Sequence, residues 1–305
     1  MRHLFPLPAV LIATLVSAAG ETAMPVLTVD DAALRGRFQQ EMESWLGTPG
    51  TPKGAQLLPD WEKARREGGP AAPVAIAWPA ATESAPKPAP LTSPQIYERA
   101  SRATVMVGHL YQCGKCDKWH PSIAGGVVID PSGIVVTNYH VMEAAKAETF
   151  GAMTAAGEVF PIVAVLAASK ADDLAVVRLK TDGKSLDAVP VARIDDPVGS
   201  EVRVISHPDG RFFTYSEGIV ARYYFEAQAK APRLQITADY AKGSSGCGVF
   251  NERGELTGVV ASTNSIYYTV EEGEQRNLQM VVKSCIPAAS LRKLLAPADI
   301  KASRR

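Results

Sequence analysis

The feature that most constrains this chain is a succession of short, Val-rich apolar runs beginning near residue 104. They are Thr104–Leu110, Gly126–Ile129, Gly133–Thr137, Val159–Leu166, Leu174–Leu179, Glu201–Ile205, Gly218–Tyr224, Leu234–Thr237, Gly248–Phe250, Leu256–Ser262 and Leu278–Val282. Turn signals separate them, among them Pro131-Ser132-Gly133, Asp182-Gly183, Pro208-Asp209-Gly210 and Asn251-Glu252-Arg253-Gly254. Each run has strand length, and no helical pattern lies between them. Short strands at regular spacing with turns between them predict an all-β sandwich or barrel. A chain of 305 residues holds one such large unit with an extension.

The regions outside the strands read differently. Arg2 and His3, the apolar stretch Leu4–Val16 and the small residues Ser17, Ala18, Ala19 and Gly20 form the three-part pattern of an export signal, assigned to residues 1–19. Between 20 and 67, Leu34, Phe38, Met42 and Trp45 recur at helical spacing, with Asp30 or Asp31 as the N-cap. Residues 68–95 are rich in Pro, Ala and Gly and read as an extended linker. A short helix is expected over Pro94–Arg102 and a last one over Pro287–Leu295, with 96–295 as the folded domain and 296–305 as a tail.

Composition excludes several function classes. Lys+Arg and Asp+Glu are 32 each, so there is no basic field for nucleic acid. Four cysteines are too few for a disulfide-built scaffold. No apolar run reaches the roughly 20 residues that span a bilayer, so no membrane association is expected once the signal is removed.

Chemistry sits in three separated segments. Gly243-Ser244-Ser245-Gly246 is a turn that can present a hydroxyl and aim backbone N–H groups into one small space. His140 follows the apolar strand ending at Thr137, where a neutral imidazole can take a proton from a hydroxyl. Asp173 directly precedes a Val/Leu strand, where a carboxylate can hold one imidazole tautomer. It is preferred over Asp172 because it alternates onto one face with Ala175, Val177 and Leu179. Each segment alone has a bland reading as a turn or strand-end residue. Together they occur in the order His, Asp, Ser, each at a strand border, which is the chain order of one known catalytic triad.

With these segments the sequence resembles the trypsin-like (chymotrypsin-fold) serine peptidases, most closely their bacterial HtrA/Deg-like and glutamyl-endopeptidase-like branches. The resemblance covers about residues 96–290. It is carried by the stretch 125–141 around His140, by Asp173-Leu174-Ala175-Val176-Val177, by His207-Pro208-Asp209-Gly210, and by 243–251 around Ser245. It implies two six-stranded antiparallel β-barrels with the site in the cleft between them. It implies His140 as general base, Asp173 as its orienter and Ser245 as nucleophile, with the Gly243 and Ser245 N–H groups as oxyanion hole. Asp239, six residues before Ser245, would form the floor of the primary specificity pocket or else cap a turn. Ala261, Ser262 and Thr263 would pair with an extended peptide as an added strand. The family pattern is broken at Cys247, where Gly is usual, and at Gly248, where Pro or Ala is frequent. No PDZ domain is expected after about residue 295.

The function these features imply is an exported (periplasmic or secreted) serine endopeptidase acting on protein or peptide substrates, with no cofactor and no metal. The alternative is a catalytically silent domain of the same fold that binds peptides. The 20–95 extension reads as an inhibitory pro-segment or a docking arm. Cys113-Gly114-Lys115-Cys116, with His120 nearby, is read as a local disulfide, because a zinc site needs four ligands and three are near. Cys247 and Cys285 are a second candidate bridge, or Cys247 is a small buried hydrophobe. His109 and His207 read as plain structural residues.

Overall fold

The structure is a computed structural model and describes residues 28–68, 89–271 and 273–295. The expected signal peptide, most of the linker and the tail lie outside the described residues.

Helix α1 (Asp31–Ser44) starts where the Asp30 carboxylate accepts the Ala33 N–H at 2.9 Å, relieving one orphan donor of the first turn. Its four-residue spacing puts Phe38 and Met42 on one face, and both are fully buried. Helix α2 (Gly54–Arg66) buries Leu57 and Leu58. Helix α3 (Ser93–Ala103) opens with a capping box in which the Gln95 side chain accepts the Thr92 N–H at 2.9 Å. It therefore begins inside the stretch assigned to the linker.

Twelve strands follow in two closed antiparallel barrels. The first barrel holds β1 (Thr104–Gln112), β2 (Trp119–Asp130), β3 (Ile134–Thr137), β4 (Thr149–Thr154), β5 (Val159–Ser169) and β6 (Leu174–Leu179), in the spatial order β1-β2-β3-β6-β5-β4. The second holds β7 (Glu201–Ser206), β8 (Thr214–Glu226), β9 (Ala231–Ile236), β10 (Gly248–Phe250), β11 (Leu256–Glu271) and β12 (Glu274–Pro287), ordered β10-β11-β12-β9-β8-β7. A four-residue helix α4 (Tyr139–Met142) follows β3, and α5 (Ala288–Leu295) closes the described chain.

The strands are apolar on both faces because each face is buried. Val105, Val107, Val135, Ala175 and Val177 fill the first barrel. Their neighbours Met106, Ile134, Val136, Leu174 and Val176 face outward into a core shared with α1, α3, α5 and the second barrel. Val202, Val204, Val220, Leu234 and Val249 fill the second barrel. This is the period-2 alternation of strands with both sides covered.

Several elements depart from the sequence reading. Strand β4, Thr149–Thr154, was not anticipated. Its Gly151 sits under α1, where a Cβ would meet Met42 Sδ at 2.9 Å, so the helix fills the space that the glycine leaves. The β8 strand is longer than its apolar run. β11 and β12 extend well beyond Ser262 and before Leu278 into a long hairpin, whose outer half is exposed and so carries no continuous apolar signal. Among the described residues, no helix is long and apolar enough to cross a membrane.

Candidate active site

The buried strand β3 delivers His140 to the rim of the first barrel, within α4. Asp173 stands in the turn between β5 and β6 with φ 60, a left-handed conformation that Asp tolerates better than most residues. This turn geometry, rather than the expected alternation with Ala175 and Val177, aims its carboxylate at His140. His140 Nδ1 lies 3.0 and 2.9 Å from the two Asp173 carboxylate oxygens, and the His140 backbone N–H donates to Oδ1 at 3.0 Å. The Asn138 side chain donates to the Asp173 carbonyl at 3.0 Å, locking the two loops together. A proton on Nδ1 satisfies the carboxylate and leaves the Nε2 lone pair free. The neighbouring Asp172 is otherwise engaged: it accepts from Ser169 at 2.7 Å and from Ser290 on α5 at 2.8 Å.

Ser245 lies in the loop before β10. Glycine is required on both sides of the Ser244-Ser245 pair, where Gly243 and Gly246 have φ +95 and +84. A Cβ at Gly246 would lie 2.2 Å from the Gly125 carbonyl oxygen. The first barrel grips this loop. Gly125 N–H donates to the Ser245 carbonyl at 2.7 Å, and the Thr137 hydroxyl donates to the Gly125 carbonyl at 2.8 Å. The Ser245 hydroxyl is directed to the Ala261 carbonyl at 3.4 Å, and no His140–Ser245 hydrogen bond is present among the described residues. At that distance the contact with Ala261 is weak, since O–H···O bonds run about 2.5–3.0 Å.

Two backbone donors are left over. The N–H groups of Gly243 and Ser245 donate to no acceptor among the described residues. The Lys242 carbonyl accepts the Asp209 N–H at 2.6 Å, and across a trans peptide the Gly243 N–H must point the opposite way. The loop that holds this carbonyl, Pro208–Gly210, is anchored by His207. The His207 ring is fully buried. Its Nδ1 accepts the Phe213 N–H at 3.2 Å, and its Nε2 donates to the Val105 carbonyl of β1 at 3.3 Å. Burial pushes its pKa down to about 4, so the ring is neutral. His207, read from sequence as a plain turn residue, thus joins the first barrel to the loop beneath Gly243.

A cavity of about 620 Å³ between the barrels is lined by His140 and Asp173 on one side and by Arg222, Arg233, Ala261 and Ser262, among others, on the other. Arg233 went unnoticed in the sequence. It is buried, and its guanidinium donates to the Ala171 carbonyl at 3.1 Å, tying β9 to the turn that carries Asp173. Ala261, Ser262 and Thr263 lie where β11 has passed the end of β10, so beyond Val260 it pairs with β12 alone.

Two expectations are corrected. Asp239 forms no pocket floor: its side chain is 89% exposed and pairs with Lys283 at 3.2 Å, because the segment before Ser245 turns its carboxylate outward. The disulfide expected for Cys113 and Cys116 is not formed, nor is the candidate bridge of Cys247 and Cys285, so that Cys247 is the small buried hydrophobe of the alternative reading, and all four cysteines are free thiols. Cys113 Sγ and Cys116 Sγ stand 3.5 Å apart. Cys247 and Cys285 are fully buried, and burial raises both thiol pKa values, that of Cys285 to about 12. Cys247 fits where the family has Gly because Gly125 faces it; a Cβ there would strike its sulfur at 2.1 Å.

A family model described as the trypsin-like peptidase domain matches residues 124–259. The chain is 30% identical over 141 residues to HhoA of Synechocystis, covering 44% of this chain and 35% of that protein. It is 26% identical over 155 residues to the serine endoprotease DegS of Haemophilus influenzae, covering 50% and 44% respectively. Each match therefore spans less than half the length of the relative. Among solved structures, the serine endoprotease from Yersinia pestis superposes with a TM-score of 0.50 over 68% of either chain, at 22% identity, which speaks for the fold.

Proposed function

We propose that this chain is an exported serine endopeptidase working through His140, Asp173 and Ser245, a reading supported by the match of residues 124–259 to the trypsin-like peptidase domain. The observation that supports this most directly is the double contact of the His140 Nδ1 with the Asp173 carboxylate, 2.9 and 3.0 Å, together with a Ser245 loop whose Gly243 and Ser245 N–H groups are unused among the described residues. In this reading the Ser245 hydroxyl leaves the weak contact with Ala261 by rotating about χ1. His140 Nε2 takes its proton as the oxygen attacks the substrate carbonyl. The oxyanion that forms is received by the Gly243 and Ser245 N–H groups, and the imidazolium is steadied by Asp173. His140 then returns the proton to the leaving amine. Water, activated by the same imidazole, frees Ser245 from the acyl-enzyme.

The substrate would enter as an extended strand along the free edge of β11 at Ala261, Ser262 and Thr263, with main-chain pairing supplying affinity. Protein or peptide substrates follow from that mode of binding. The domain is proposed to span 96–295 and the extension 20–67, of which α1 and α2 pack on the first barrel. Export rests on the 1–19 signal pattern.

Cleavage of unfolded casein by the wild type and by Ser245→Ala tests the proposal. Loss of cleavage in the variant is expected, and equal cleavage by both would overturn it.

A further inference from the structure

We propose that the tip of the β1–β2 hairpin is a zinc site, with Cys113, Cys116 and His120 as its protein ligands and a water completing the tetrahedron. The inference concerns a part of the molecule remote from Ser245 and stands apart from the peptidase reading.

The sequence of the tip is built to bring donors to one point. β1 ends at Gln112 and β2 begins at Trp119, leaving six residues for the reversal. Gly114, at φ +74, takes the left-handed step, and the Lys115 N–H turns back onto Cys113 Sγ at 3.4 Å. This folds the Cys-x-x-Cys segment so that both sulfurs face the same space, 3.5 Å apart. His120 enters from the strand. Its register partner across the hairpin is Tyr111, whose ring packs against the imidazole with centroids 5.8 Å apart. His120 Nε2 then lies 3.1 Å from Cys116 Sγ, and all three donor atoms lie within 4.8 Å of one another.

These distances discriminate between the two chemistries open to a Cys-x-x-Cys pair. Zinc–sulfur bonds of about 2.3 Å and zinc–nitrogen bonds of about 2.0–2.1 Å give a tetrahedron with S–S edges near ~3.8 Å and S–N edges near ~3.5 Å. The observed 3.5 and 3.1 Å need only small outward shifts to reach them. A disulfide would close the sulfurs to about 2.05 Å and would give the imidazole nothing to do. Two thiolates and an imidazole form a soft, borderline donor set that suits zinc and gives no hold on calcium or magnesium, which need oxygen ligands. The cluster is open to solvent, with Cys116 exposed, so the ion has an entry path. Binding replaces the two thiol protons, which leave to solvent, and uses the lone pair of the neutral imidazole. The sequence argument that three ligands are too few holds for closed structural sites. Zinc sites with three protein ligands and one water are an established type.

The placement suggests a staple. Gln39 of α1 donates to the Trp119 carbonyl at 3.1 Å, next to His120. Five residues further along β2, Gly125 holds the Ser245 carbonyl. An ion at the tip would fix the hairpin at the end of the strand that grips the Ser245 loop.

The test uses the full chain, reduced and then freed of reductant without air. Zinc titrated against a chromophoric chelator should bind at one ion per chain. Cobalt(II) in its place should show a thiolate-to-metal charge-transfer band with the strong visible bands of a tetrahedral site. Cys113→Ser, Cys116→Ser and His120→Asn should each weaken zinc by more than the roughly 10–100-fold that loss of an outer-shell partner costs. Cys247→Ser should bind as the wild type does. Absence of stoichiometric zinc, a cobalt spectrum without the thiolate band, affinity unchanged by all three substitutions, or binding of copper(I) with none of zinc would each overturn the assignment. The cobalt spectrum is read on the unmodified chain, so it decides even if a variant fails to fold.

Discussion

The two barrels share one strand plan but differ in what surrounds them. The first is clad in helices: α2 adds Leu57, Leu58 and Trp61 to its interior, and α1 presses Phe38 and Met42 onto β1 and β4. The second has a smaller interior, and it projects the β11–β12 hairpin, leaving Ile266, Tyr268, Val270, Leu278 and Met280 exposed. The difference carries into the candidate site. The clad barrel presents an imidazole and a carboxylate already joined by two contacts, whereas the second barrel presents a hydroxyl directed elsewhere. What holds that hydroxyl's loop is backbone from its neighbour, the Gly125 N–H directly and the Val105 carbonyl by way of the His207 ring. The lesson is that the first barrel, with its N-terminal helices, acts as the template on which the Ser245 loop is set.

The comparison breaks most sharply where the barrels must act together. If they do, Ser245→Ala should lower peptide hydrolysis on the order of 10⁶-fold. Asp173→Asn should cost about 10⁴-fold by presenting the wrong imidazole tautomer, as the steady-state rate on a chromogenic peptide would report. Removing the cladding should weaken the fold next. Phe38→Ala is expected to lose about 3–5 kcal/mol in urea unfolding. Tyr268→Ser on the exposed hairpin should stay within about 0.5 kcal/mol. Equal losses for the two would erase the asymmetry between the barrels. Gly243→Ala sharpens the account of the grip. The new Cβ would meet the His207 carbonyl at 2.8 Å at φ +95. It should reduce kcat by about 10²–10³-fold, the scale of one lost oxyanion donor, with the fold retained by circular dichroism.

Smaller than the loss at Phe38 is a pH dependence. His207 has a folded pKa of about 4, below its ordinary 6.5, because burial disfavours the charged ring. Its contribution is therefore complete above about pH 6.5 and is lost as pH falls toward 4. The neutral ring accounts for roughly 3 kcal/mol at most over that window. Urea unfolding at pH 7 and 4.5 should show wild type losing more stability on acidification than His207→Gln. An identical loss in both would remove His207 from the account.

Much of this was legible because it is local. Strands such as Leu174–Leu179 and Gly248–Phe250 announce themselves through continuous apolar runs, and α1 through the spacing of Phe38 and Met42. The segments around His140, Asp173 and Ser245 stand at strand borders, where the pattern changes. What escaped depends on partners far along the chain. β4 escaped because Gly151 and the threonines at its ends interrupt its apolar run, and the glycine is matched by Met42 of α1 far earlier in the chain. Arg233 matters only once folding brings β9 to the Asp173 turn. Asp239 was assigned by its distance from Ser245, yet its side chain stands out to solvent beside Lys283 on β12. The cysteines were read as pairs because spacing cannot reveal that His120 shares their space.

In the proposed reaction Ser245 becomes a nucleophile only through His140. Labelling the protein with a fluorophosphonate probe and mapping the adduct by mass spectrometry tests it most directly. The adduct should fall on Ser245 in wild type and vanish in His140→Ala. A chain that takes up no probe, or one labelled at another residue and equally well without the imidazole, would contradict it.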